Sequence, residues 1–176
     1  MAREAPKRVR QEKNRRFKRR YNLICEGAVT ERTYFDCLKS FYSQSIIWFF
    51  VDKRKASKSS PDDLIASAKK LKRKDHFDGD EVWIILDKDD WTDKHFDALR
   101  RWEKEKDYHY LAISSPKFEY WILLHKDDPH HLTRQEVDVK FKQWMGQGKE
   151  IDCKLLNRDN VCAAAERAKL KHGSNT

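Results

Sequence analysis

The stretch "YNLICEGAVTERTYF", residues 21–35, decides how the chain is read. Its first residues are mostly apolar and lead into Glu26 and Gly27, the pattern of a short buried strand predicted over 21–26. Beyond it, Tyr34, Phe35, Leu38, Phe41 and Tyr42 recur at helical spacing, which predicts an amphipathic helix over 30–43. A glutamate therefore ends a strand at a sheet rim, and Glu31 follows in the first turn of the next helix. Glu26 reads in two ways: as a capping or solvated turn residue, or as a ligand for a metal ion.

Outward from this stretch, strands and helices alternate. "SIIWFFVD" (45–52) is β-branched and aromatic without polar interruption and reads as a strand buried on both faces. A basic loop, "KRKASKSS" (53–60), precedes a helix start made of Ser60, Pro61 and two acids. "DGDEVWIILD" supplies a turn and a third strand over 81–86, followed by a helix capped at Thr92. A fourth strand is predicted over 108–113, then a short buried helix in "PKFEYWILLHK" (116–126). Thr133 and Glu136 form a capping box for the next helix, and an alanine-rich helix over 157–172 closes the series.

This alternation implies an α/β domain, a mostly parallel four-stranded sheet flanked by helices and joined by right-handed crossovers. One domain over 21–172 accounts for the pattern, with 173–176 as a polar tail that leaves a truncated C-terminus open. Apolar residues make up 39% and charged residues 38%, so a packed core under a highly charged surface is expected. No apolar run approaches the roughly 20 residues of a membrane span, and no apolar segment backs the basic N-terminus as in a secretory signal. Cys25, Cys37, Cys153 and Cys162 form no CxxC pair; Cys25 and Cys37 read as reduced, buried thiols, which places the protein in the cytoplasm.

The net charge of +9 is concentrated at one end. Residues 1–20 carry ten Lys or Arg against Glu4 and Glu12, a net of +8. Such a block repels itself and reads as a flexible arm, either a phosphate-seeking tail for RNA or DNA or a solubility tail.

The acids line up at one rim. In a parallel α/β sheet, ligands bind outside the carboxyl ends of the strands. The first strand ends at Glu26, and the third ends in "WIILDKDDW", which supplies Asp87, Asp89 and Asp90. Asp87 and Asp89 are two apart, so in extended backbone they project to one side. With Glu31 added, several ionised carboxylates would repel one another unless a Mg²⁺-type cation neutralised them. The plainer alternative makes Asp87 and Asp90 turn or capping residues ahead of Thr92.

An acid after strand one and a DxD after strand three resemble the Toprim domain shared by topoisomerases, primases and OLD-type nucleases. Together, "CEGAVTERTYF" (25–35), the DxD and "SSPKFEYWILLH" (114–125) resemble the RloB-like family of bacterial defence proteins over about 21–172. The resemblance implies a Rossmann-like Toprim fold and a Mg²⁺- or Mn²⁺-dependent nuclease in anti-phage defence and abortive infection. It also implies an AAA- or ABC-type ATPase partner. Glu26 would be the Toprim glutamate, Asp87 and Asp89 the DxD pair, and Glu31 the second acid of the first motif.

Further residues frame the site. Glu119, on an apolar segment, needs a partner: the metal, Lys117 or an N–H group at the helix start. His125 reads as a core histidine, with general acid–base work as the alternative. Lys88, Lys53, Arg54, Lys55 and Lys58 are candidate phosphate contacts, and for Lys88 plain solvent exposure competes. Against the nuclease stands a noncatalytic Toprim-like scaffold or toxin subunit that binds nucleic acid or an ATPase. A small-molecule phosphotransferase or phosphatase using the same acids is a third reading.

Overall fold

The computed structural model describes residues 19–42, 46–50, 60–71, 80–88, 91–130, 132–148 and 150–173. They form a mixed α/β unit in the order β1 (Arg19–Cys25), α1 (Thr30–Tyr42), β2 (Ile46–Phe50), α2 (Pro61–Lys69), β3 (Glu81–Asp87), α3 (Asp93–Lys104), β4 (His109–Ser114), α4 (Phe118–Leu123), α5 (Arg134–Met145), a 3₁₀ turn (Cys153–Leu155) and α6 (Arg158–Gly173). The strands pair in parallel in the order β2-β1-β3-β4.

Strand alternation sorts the apolar side chains into two cores. Leu23 and Ile85 point to one face, where they meet Tyr34, Cys37 and Leu38 of α1, Phe118 and Ile122 of α4, and Phe141 of α5. Their neighbours Ile24, Ile84 and Leu86 point the other way, onto Leu64 of α2 and Leu99 and Trp102 of α3. Helices thus cover both faces, which is why β1 and β3 read as nearly unbroken apolar runs.

Local signals hold where the chemistry is local. Ser60 Oγ accepts the Asp63 N–H at 3.3 Å to start α2. Thr133 and Glu136 exchange hydrogen bonds at 2.8 and 3.3 Å to start α5. Thr92 precedes α3 with its N–H directed at His95 Nδ1, 3.3 Å away. Gly146 ends α5 at φ 95°, a left-handed conformation natural to glycine.

β2 stands outermost in the strand order. Three expectations need correction. The arm is shorter than 1–20, because Arg19 and Arg20 belong to β1. There the Arg20 guanidinium meets Asp80 at 2.8 Å, and Asp80 is only 4% exposed. Cys37 is not a free thiol; it is bonded to Cys153, 116 residues away, with Cα atoms 5.2 Å apart. Spacing cannot reveal that pair, since only the fold brings the 3₁₀ turn against α1. Finally, β1 stops one residue before Glu26, whereas β3 runs through Asp87, which pairs with Ser114.

Among the described residues, no helix is long and apolar enough to cross a membrane.

Candidate metal centre

The strand order reverses between β1 and β3: from β1 the chain steps to β2 on one side, then to β3 and β4 on the other. A crevice opens at the carboxyl ends of strands at such a reversal. Glu26 and Asp87 sit there. Cys25 pairs with Ile85 across the two strands, and the Glu26 N–H continues the ladder to the Ile85 carbonyl at 2.8 Å. The Glu26 side chain then turns across the gap, and its Oε2 accepts the Asp87 N–H at 2.9 Å.

Two more acids close on the same point. Glu31, in the first turn of α1, is only 5% exposed and accepts the Gly27 N–H at 2.9 Å. A Cβ at Gly27 would lie 2.0 Å from Glu31 Oε2, so the glycine of the motif is the space its carboxylate occupies. Glu119, in the first turn of α4, lies 3.4 Å from the Thr30 hydroxyl and 3.5 Å from Lys117 Nζ. Asp87 Oδ1 accepts the N–H of Phe118, the first residue of α4, at 2.7 Å.

The electrostatics converge on Asp87. Burial, then the negative charges of Glu31, Glu119 and Glu26, push its carboxyl up to about 7, although the Phe118 N–H pulls the other way. Glu26, Glu31, Asp87 and Glu119 therefore form one interacting group.

Among the described residues, no three acid, histidine or cysteine side chains stand in a ready coordinating set. The acids are turned instead onto amide, hydroxyl and ammonium donors. Their chemistry still fits a hard divalent cation: the donors are carboxylate oxygens, and the like-charge pressure on Asp87 is what such an ion relieves.

Lys88 is exposed beside Asp87, its N–H bonded to the Ser114 carbonyl at 2.7 Å. Asp89 and Asp90, and Lys53, Arg54, Lys55 and Lys58, lie outside the described residues. His125 belongs to the core. It is 3% exposed, and its Nδ1 faces the carbonyls of Trp121 and Ile122 at 3.0 and 3.2 Å, so Nδ1 carries the proton. Nε2 then accepts the Tyr34 hydroxyl at 3.0 Å, and burial lowers its affinity for a second proton.

Sequence reasoning assigned no role to Thr30 or to the Lys117–Asp138 bond of 2.7 Å. Thr30 stands beside Glu31 inside the first motif, which was a usable signal; nothing marks Asp138 before α4 and α5 are packed together.

Residues 21–176 match the family model described as RloB-like protein. The chain belongs to the RloB-like family. No match was found among curated proteins or solved structures.

Proposed function

We propose that this RloB-like protein is a metal-dependent, Toprim-type nuclease that hydrolyses phosphodiester bonds in RNA or DNA. In this reading it is the cytoplasmic effector of a bacterial anti-phage defence system and works beside an AAA- or ABC-type ATPase. The observation that carries the reading is the meeting of Glu26, Glu31, Glu119 and Asp87 at the strand-order reversal, with three of those charges pressing on the fourth. The parallel sheet covered on both faces accords with the Rossmann-like Toprim fold that the proposal requires.

Glu26, Asp87 and Asp89 would hold Mg²⁺ or Mn²⁺, with Glu119 as a further ligand. When bound, the ion supplies Lewis-acid polarisation of the phosphate and a more acidic attacking water. Glu31, held by the Gly27 N–H, takes the proton of that water as its oxygen bonds to phosphorus. The opposite P–O bond breaks, and the departing oxygen takes a proton from solvent. Lys88, exposed next to Asp87, meets a neighbouring phosphate, and the basic segment 53–58, outside the described residues, is a further candidate phosphate contact by its charge alone.

One observation favours the noncatalytic reading. Each described carboxylate already has a donor inside the protein, and Asp87 serves the first amide of α4, as a structural turn residue does. The test is cleavage of tRNA, single-stranded DNA and plasmid by the full chain with its ATPase partner, in Mg²⁺ or Mn²⁺. The nuclease reading expects wild-type cleavage that Asp87→Asn abolishes with the melting curve retained. Equal cleavage by wild type and variant removes Asp87 from catalysis.

A further inference from the structure

A cation already touches the carboxylate group. Lys117, at the N-cap position of α4, places Nζ 3.5 Å from Glu119 Oε2 and 2.7 Å from Asp138 Oδ1 of α5. The three side chains differ in environment: Lys117 is 17% exposed and Glu119 14%, whereas Asp138 is 48% exposed. One ammonium is thus shared between a carboxylate facing the acid cluster and a carboxylate facing solvent, and the shorter bond goes to the outer one. With a carboxylate within ion-pair distance on either side, the ammonium stands as a cation beside the cluster.

That arrangement has a physical consequence. A positive charge on Glu119 opposes any second cation that needs the same oxygens, and a unit charge a few ångströms from a divalent ion changes its affinity on the order of tenfold. Asp138 weakens this opposition by drawing the ammonium outward.

We propose that Lys117 is the built-in counter-cation of the carboxylate site, that Asp138 positions it, and that its division between Glu119 and Asp138 sets the site's affinity for a divalent cation. The inference rests on the metal-centre reading above. Without metal, Lys117 compensates Glu119. When a divalent ion takes Glu119, the ammonium moves onto Asp138, free to meet an anionic phosphate. Asp138 acts only through Lys117.

The test is Mn²⁺ binding to the full 176-residue chain, measured by isothermal titration calorimetry with no nucleic acid present. Lys117→Met keeps the apolar stem without the charge and should tighten Mn²⁺ binding about tenfold. Asp138→Asn should weaken it several-fold, because the whole ammonium falls back on Glu119. The double variant should bind like Lys117→Met alone, since Asp138 has nothing left to position. Lys117→Arg should keep affinity near wild type. If Lys117→Met does not fold, the sign of the Asp138→Asn effect decides the matter by itself. Wild type that binds no Mn²⁺ overturns the metal reading and the inference together. Wild type that binds, with Asp138→Asn unchanged or tighter, overturns the inference and leaves the metal reading standing.

Discussion

The Glu26 carboxylate accepts the backbone N–H of Asp87 at 2.9 Å, so the acid that follows β1 is tied to the acid that ends β3. Asp87 in turn accepts the Phe118 N–H at 2.7 Å. Two strands and one helix are thereby joined through two carboxylates at the crevice. A change in charge at Asp87 therefore reaches three elements.

Asp87 should make the metal-free protein less stable as pH rises. Its folded carboxyl titrates at about 7, above the ordinary value of 3.8. Between those values the folded state keeps a proton that the unfolded chain releases, so stability is fully present below the lower value and is lost towards the upper one. Asp87→Asn lacks this titration. Melting curves of wild type and variant should diverge from about pH 4 to pH 7, with wild type losing ground, and then run parallel. Curves parallel throughout would show that the carboxyl is not held protonated.

Gly27→Ala should strike Glu31 directly. The added Cβ would sit 2.0 Å from a carboxylate oxygen that has little room to retreat. A cost of about 1–3 kcal/mol is expected in chemical denaturation. In a Glu31→Ala background the same change should cost far less, because the clash partner is gone. Equal costs in both backgrounds would place the effect in the backbone.

Much of this architecture is legible in the sequence, and the remainder fails for physical reasons. Glu26 and Asp87 are readable because each closes an apolar run, and parallel strands bring such ends to one rim. Caps at Ser60 and Thr133 are readable because their bonds span three residues. The Cys37–Cys153 bond and the Lys117–Asp138 bond depend on the packing of distant segments, and no local pattern announces either. Arg20 looks like part of a basic tail because composition does not show Asp80 beside it.

The arm and β1 should separate experimentally at residue 18. Residues 1–18 carry eight basic and two acidic groups. Their deletion should leave the melt nearly unchanged. It should also flatten the logarithmic salt dependence of nucleic-acid binding, by about 0.9 for each phosphate that the arm neutralises. Extending the deletion to residue 20 removes the guanidinium that meets Asp80 and the first two residues of β1, and should lower the melting temperature measurably. An unchanged salt slope would make the arm a solubility tail.

Cys153→Ser should lower stability by about 2–4 kcal/mol in the oxidised protein, since the bond closes a loop of 116 residues. Dithiothreitol should lower wild type towards the variant and leave the variant unmoved. In a reducing cytoplasm the pair would be held as thiols, so the reduced melt is the relevant one there. A wild type indifferent to reductant would mean the two sulfurs are not joined in solution.

The central claim is that the acids at the ends of β1 and β3 hold a metal. Anomalous diffraction from crystals soaked in Mn²⁺ addresses it most directly. A peak is expected in the crevice about 2.1–2.2 Å from carboxylate oxygens of Glu26 and Asp87, with Glu26 turned away from the Asp87 N–H. Saturating Mn²⁺ that leaves no peak there, with Glu26 still bonded to the Asp87 N–H and Asp87 to the Phe118 N–H, would contradict it.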